Sequence, residues 1–399
     1  MQTHIADDVK NRPEHQELED ILRSCVHCGF CNATCPTYQL LGDELDGPRG
    51  RIYLLKQMLE GHEVSRITQL HLDRCLTCRS CETTCPSGVR YGRLLDIGRE
   101  MVETRVGRTF RERIKRNLIR FLFPDRDRFA LLMRFARLVN PLLPESVQHK
   151  IHIQSPKRSW PRQRHKRIML SLPRCVQNVI APGIDIAAAH LLDRQGISLV
   201  QVEAAGCCGA LNYHLADHRQ AIEYAKRNID ACWPFIEQGA EAIVMTASGC
   251  GVMTREYHEL FRYDEDYAEK AARFSSITKD ISEILHLEYS TVSKKAAGKK
   301  IAFHSPCTLQ HGQKVTGLAE AVLIQHGYTL IPVEESHLCC GSAGVYSMLQ
   351  PELSGTLLQN KLKALHIQDA DMIATANIGC LTHLQADCDK QVVHWIELL

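Results

Sequence analysis

Residues 25–36 read CVHCGFCNATCP, and residues 75–86 read CLTCRSCETTCP. Both carry the spacing C-x2-C-x2-C-x3-C followed by proline: Cys25, Cys28, Cys31 and Cys35 before Pro36, then Cys75, Cys78, Cys81 and Cys85 before Pro86. Three thiolates at two-residue intervals wrap a tight loop around a common centre, while the fourth, ahead of proline, points elsewhere. Gly29 lets the first loop approach closely what it encloses. Between the copies, Pro48 opens a helical pattern that puts Ile52, Leu55 and Leu59 on one face.

The remaining cysteines are also ordered. Of eighteen in 399 residues, sixteen fall into four sets of four, and only Cys232 and Cys388 stand outside. A net charge of +2, 44% hydrophobic and 24% charged residues describe a globular chain, with no general pull toward nucleic acid. No apolar run is long enough to span a bilayer, and the start is too polar and acidic for a secretory signal, so a cytoplasmic protein is expected. A reducing compartment disfavours disulfides and leaves metal binding or redox chemistry as the reason for so many thiols.

The C-terminal part is a tandem duplication whose matched cysteines are offset by 130 to 132 residues. Residues 240–250 match 370–380, both ending in Gly-Cys; residues 166–175 match 300–307; and the Cys-Cys-Gly at 207–209 matches that at 339–341. β-rich runs at 168–172, 198–202 and 242–246, and again at 301–304, 328–333 and 372–375, alternate with helical patterns, which predicts βαβ units around one parallel sheet per repeat. The cysteines follow the predicted strands, so Cys175, Cys207, Cys208 and Cys250 are expected at one sheet edge, and Cys307, Cys339, Cys340 and Cys380 at the other. Adjacent cysteines before glycine project two thiolates from one turn, a geometry suited to a metal or cluster rather than to a disulfide between them. His304, His311 and His337 lie close by in sequence as candidate proton carriers or ligands.

The expected architecture is an N-terminal all-helical two-cluster ferredoxin domain (1–104), a basic helical linker (105–166), and two tandem α/β cysteine-rich repeats (167–290 and 291–399). In the linker, Phe110, Ile114, Leu118 and Phe121 or Leu122 recur at helical spacing among Arg111, Arg113, Lys115, Arg116 and Arg120, with Pro124, Pro141, Pro144, Pro156 and Pro161 interrupting. The apolar side is expected to pack on the ferredoxin domain with the charges solvated; an anionic membrane surface is the alternative. Residues 157–167 hold six basic residues and no acidic one, suited to an acidic partner or lipid headgroups. Residues 46–51 read as a turn and helix start, with Arg49 and Arg51 available to a partner surface.

The paired motifs resemble those of two-cluster ferredoxins, in which three thiolates of one motif and the last of the other hold each [4Fe–4S] cluster. That resemblance implies one set of Cys25, Cys28, Cys31 and Cys85 and a second of Cys75, Cys78, Cys81 and Cys35. Zinc is the alternative occupant of paired C-x2-C elements, disfavoured by two complete copies each ending in Cys-Pro. The helical spacer is similar to the iron–sulfur subunits of succinate dehydrogenase and fumarate reductase. The repeats resemble the Cys-Cys-Gly domain of heterodisulfide reductase, which adds a fifth cysteine where this chain has Met253 and His383.

Taken together, residues 25–51, 72–96, 205–209, 246–251 and 336–344 look similar to the iron–sulfur subunits of bacterial glycolate oxidase. The resemblance implies a subunit of a flavin-dependent dehydrogenase: FAD-binding partner subunits oxidise glycolate to glyoxylate, this chain takes the electrons through two [4Fe–4S] clusters, and a quinone-type acceptor receives them. It also implies a peripheral position on the cytoplasmic side of the inner membrane. Equivalent subunits of lactate or glycerol-3-phosphate dehydrogenases share the layout. A heterodisulfide-reductase-like thiol reductase and a redox sensor are further alternatives. No dinucleotide or Walker fingerprint is present, so a flavin is expected on another chain and no substrate-converting residue on this one.

Overall fold

The computed structural model describes residues 1–139, 158–288 and 298–399. Pro141, Pro144, Pro156, Lys157 and the repeat boundary at 290/291 lie outside them.

Residues 1–139 form helices and no strand, the architecture expected for this part. Apolar spacing explains the packing. Leu18, Ile21 and Leu22 of the helix His15–Ser24, Ile52, Leu55 and Leu59 of Pro48–Leu59, and Leu94, Leu95 and Met101 of Tyr91–Val106 are buried in one core with Cys25 and Cys81. The last of these helices runs two residues past 104.

Thr109 and Glu112 form a capping box that starts the helix Phe110–Leu122. Its orientation reverses the sequence expectation. Phe110, Ile114, Leu118 and Phe121 are exposed, whereas Arg116 is buried and donates to Asp73 Oδ1 at 3.0 Å. Asp73 also accepts from Arg108, so one carboxylate neutralises two guanidinium groups, and Arg120 bonds the Leu215 carbonyl. Ion pairing on the inner side, together with Ile119 packing on Leu215 and Val345, outweighs burial of the apolar stripe. The next helix, Arg126–Val139, likewise exposes Leu131, Phe135 and Leu138.

Each repeat is a four-stranded parallel sheet flanked by helices, as expected. The first comprises β1 (Arg167–Ser171), β2 (Ile197–Gln201), β3 (Ile243–Met245) and β4 (Thr278–Asp280) in the order β2-β1-β3-β4. The second comprises β5 (Lys300–His304), β6 (Thr329–Leu330), β7 (Met372–Thr375) and β8 (Val392–His394) in the order β6-β5-β7-β8. The strand expected at 328–333 is shortened to two residues, and β4 and β8 are additions to the sequence reading.

Between β1 and β3, and between β5 and β7, the chain leaves the strand ends toward opposite sides, and the crevice at such a switch point is where α/β folds place their sites. The two sheets share a core in which Ile184 and Leu192 of the first repeat meet Leu384 and Trp395 of the second. Across this seam His394 Nε2 donates to the Thr246 carbonyl at 2.8 Å, and the Ser248 and Thr308 hydroxyls are 2.7 Å apart.

The helical part docks on both repeats. Arg79 pairs with Glu256, Arg93 donates to Tyr213 Oη at 2.9 Å, and Asp96 bonds His214 Nδ1 at 3.0 Å. On the other side, Thr83 Oγ1 and His311 Nδ1 are 2.8 Å apart, and Tyr346 Oη donates to the Arg74 carbonyl at 3.1 Å.

Candidate metal centres

The two cysteine loops cross over. Cys25, Cys28, Cys31 and Cys85 line one cavity, walled also by Gly29, Pro48, Ile52 and Tyr91, and reached by Cys81 of the second group. Gly29 sits in the left-handed region (φ +85°), and a Cβ there would fall 2.5 Å from Arg49 Nη1. Burial, and then the thiols of Cys25, Cys28 and Cys85, push the Cys31 thiol up to about 11. In the second group, Cys81 has Cys78, Cys75 and Cys35 as thiol neighbours, and burial followed by those neighbours raises it well above the ordinary range. Thiolates gathered this closely repel one another; a multivalent cationic centre is what would hold them together. Four convergent thiols with apolar walls fit an iron–sulfur cluster at each place.

Around the second group lies a shell that the sequence reading did not assign. Tyr91 Oη is 3.5 Å from Cys75 Sγ. Arg51 is buried, not part of a partner surface: its guanidinium donates to Thr37 Oγ1 at 3.1 Å and to the His71 carbonyl at 2.8 Å, and lies 4.0 Å from Cys35 Sγ. The buried Asp46 carboxylate compensates it at 3.4 Å and also accepts from Arg74 at 2.8 Å. The signal was present in the sequence, since Arg51 shares a helical phase with Leu55 and Leu59. Arg49 instead pairs at the surface with Glu44 at 2.6 Å.

In the repeats each set of four forms a chain of neighbouring thiols. Cys207 contacts Cys175 and Cys208, and Cys208 contacts Cys250; contact with Cys207, then burial, pushes Cys208 up to about 12. In the second repeat Cys307 and Cys339 Sγ are 3.7 Å apart, with Cys340 and Cys380 continuing the chain. Gly209 (φ +84°) and Gly341 (φ +91°) make the two turns possible: a Cβ would lie 2.9 Å from the Ala221 carbonyl oxygen in one and 2.7 Å from that of Ser354 in the other. The buried Lys361 has all four thiols of the second set as electrostatic neighbours and donates to the Glu335 carbonyl at 2.8 Å.

This second set also adjoins the helical part. Cys307 acts electrostatically on Cys78, and Leu76, Tyr346 and Leu357 pack with Cys307 and Cys339 in one apolar cluster.

The other candidates separate cleanly. His304 is buried, with Nδ1 2.9 Å from Thr375 Oγ1 and no hydrogen-bond partner at Nε2. Its ring, Cys340 and Cys380 offer ligand atoms all within 4.8 Å of one another. Burial, then Lys361 and His383, hold the His304 imidazole down to about 3, so it is neutral. His311 is committed through Nδ1 to Thr83 and through Nε2 to the His337 carbonyl at 2.9 Å, and His337 faces Glu335 at the surface. His383 Nε2 is 3.3 Å from Ser354 Oγ, and Met253 packs in the core of the first repeat. Cys232 and Cys388 are buried in the two repeat cores.

Family models agree with this division. Residues 21–89 match a 4Fe-4S dicluster domain, and residues 170–255 and 301–385 each match a cysteine-rich domain. The chain is thus an iron–sulfur protein in which a dicluster domain is fused to two cysteine-rich repeats. It is 51% identical to the glycolate oxidase iron-sulfur subunit of Escherichia coli (strain K12) over 100% of this chain and 98% of that one. It is 29% identical to a probable glycolate oxidase iron-sulfur subunit of Bacillus subtilis (strain 168) over 99% and 96%. Lactate utilization protein A of Anoxybacillus flavithermus is 26% identical over 56% of this chain and 95% of its own. The chain belongs to the family of glycolate oxidase iron–sulfur subunits.

Proposed function

We propose that this chain carries electrons away from a flavin on partner subunits, where glycolate is oxidised to glyoxylate, toward a quinone-type acceptor. Cys25, Cys28, Cys31 and Cys85 hold one [4Fe–4S] cluster, and Cys75, Cys78, Cys81 and Cys35 the other. The carrying observation is the crosswise grouping of these eight thiols within a chain that resembles its glycolate oxidase relative from end to end. A cluster takes up one electron at a time, which is the chemistry required between a two-electron flavin and an acceptor.

The chain's own residues divide the work. The loop of Cys28, flanked by exposed Val26 and Phe30, offers an outer face to a partner. Arg51 supplies a buried positive charge that offsets thiolates at the inner site, while Leu76 and Tyr346 exclude water between that site and the second repeat. Cys175, Cys207, Cys208 and Cys250, and likewise Cys307, Cys339, Cys340 and Cys380, are a further metal-binding set in each repeat.

The exposed stripe Phe110, Ile114, Leu118 and Phe121, with Arg111, Arg113 and Lys115 beside it, supports peripheral attachment to an anionic membrane surface on the cytoplasmic side. No helix among the described residues is long and apolar enough to cross a membrane.

The test is anaerobic co-purification with native partners, followed by dye or quinone reduction with glycolate, D-lactate and glycerol 3-phosphate. Glycolate-driven reduction is expected, and Cys28→Ser should abolish acceptor reduction while sparing reduction of the flavin. Activity with another substrate alone would replace glycolate. Undiminished acceptor reduction after loss of that cluster would end the relay reading.

A further inference from the structure

The two repeats share one topology, yet they differ at a pair of buried positions near the cysteines. His304 stands three residues before Cys307, and Thr375 five before Cys380; the first repeat has Leu172 and Met245 at those places. Thr375 lies opposite His304 in the β5–β7 register. The second repeat therefore carries a histidine together with the hydroxyl that orients it. A His/Thr pair in place of Leu/Met is costly in a core unless its polar atoms find partners. Nδ1 has its partner in Thr375 at 2.9 Å; Nε2 has none, although His304 is only 2% exposed. The His304 ring and the Cys340 and Cys380 thiols offer one ligand atom each, all within 4.8 Å of one another.

We propose that the second repeat binds one borderline-soft divalent ion, of the zinc or ferrous class, through Nε2 of His304 and the sulfurs of Cys340 and Cys380. Imidazole with thiolate is the donor set that suits such ions, and an oriented second ring nitrogen is the usual support for a ligating histidine. Thiolates about 2.3 Å from a tetrahedral ion stand about 3.8 Å apart, inside the 4.8 Å that spans the His304, Cys340 and Cys380 donors. Cys339, next in the chain of thiols, is the fourth donor. Lys361 lies beside the four thiols and offsets part of their negative charge. The first repeat, with leucine at the corresponding place, has sulfur donors alone.

This assignment deepens the reading of the repeats as metal sites, and its test separates the two. The full-length chain is purified anaerobically and its zinc and iron are counted in the wild type, His304→Leu and His304→Cys, with the spectra of the ferredoxin-type clusters as the check on folding. Zinc-edge X-ray absorption follows reconstitution with Zn2+. Expected are an equivalent of metal beyond the eight irons of two clusters, a nitrogen neighbour near about 2.0 Å, at least tenfold weaker Zn2+ retention in His304→Leu, and recovery in His304→Cys. Full retention by His304→Leu, or a shell of sulfur alone, would overturn the role of His304 while leaving the metal site standing. No metal beyond the two clusters, and no uptake of Zn2+, would overturn both. Should His304→Leu fail to fold, the wild-type zinc shell decides.

Discussion

Tyr346 of the second repeat donates its hydroxyl to the carbonyl of Arg74, 272 positions earlier and next to Cys75, at 3.1 Å. The bond ties the inner cysteine loop of the helical part to the loop that follows Cys339 and Cys340, and on the same seam the Cys78 and Cys307 thiols come within electrostatic reach. The thiol sets at these two places are thus held in fixed register by ordinary hydrogen bonding and packing.

Arg51 is the buried charge beside Cys35. Replacing it with methionine keeps the volume but leaves Asp46 with only Arg74 and His71, and leaves Thr37 and the His71 carbonyl without a donor. Breaking a buried pair in this way costs about 3 kcal/mol. A lowered thermal midpoint is expected under anaerobic conditions, together with a weakened signal from the inner cluster; a variant melting like the wild type with both signals intact would refute the role.

The two turn glycines should respond alike. Gly341→Ala forces a side chain into the left-handed region and against the Ser354 carbonyl, and Gly209→Ala does the same against Ala221. Each is expected to destabilise by about 2 kcal/mol and to lower metal retention in its own repeat. Metal analysis of the two variants checks this, and equal losses from both repeats in either variant would count against a local effect.

Asp280, in β4, is buried, and burial raises its carboxyl to about 6 despite hydrogen bonds from Ser282. A carboxyl raised in the folded state favours folding in its protonated form, so the favourable difference is lost as pH rises through about 6. Asp280→Asn keeps an oxygen for Ser282 and removes the charge. Above pH 7 it should exceed the wild type by about 3 kcal/mol, with the gap roughly halved at pH 5. Chemical denaturation across that range reads the gap directly, and a gap that does not change with pH would exclude the titration.

Membrane attachment through the outward stripe is tested with Phe110→Ser, Ile114→Ser and Leu118→Ser combined. Sedimentation with vesicles containing anionic lipid should fall at least tenfold, while neutral vesicles bind neither protein. Unchanged binding would remove the stripe from the membrane reading.

Much of this was legible in the sequence because its strongest signals are local. Cysteine spacing, the Cys-Cys-Gly turns and the duplication offset together drew the division into a helical part and two parallel sheets. β4 and β8 escaped because each is three residues long at a sheet edge, and Thr278-Lys279-Asp280 carries no apolar alternation; only pairing with β3 makes it a strand. The helix Phe110–Leu122 was oriented backwards for a physical reason: an amphipathic pattern says that two faces differ, not which of them meets the protein. A single carboxylate, Asp73, presented from elsewhere in the chain, reversed the answer. His304 stood among three histidines of equal standing until hydrogen bonds claimed both nitrogens of His311 and left one of His304 vacant.

Of the eighteen cysteines, Cys28 alone is exposed. An oxidant arriving from solvent therefore meets that loop before any other thiol in the molecule. Damage should begin at the outer site and spare the inner one, and a partner subunit seated over Cys28 would act as its shield. Assembly with the partner then serves durability as well as electron flow, and the isolated chain should lose its outer centre first in air.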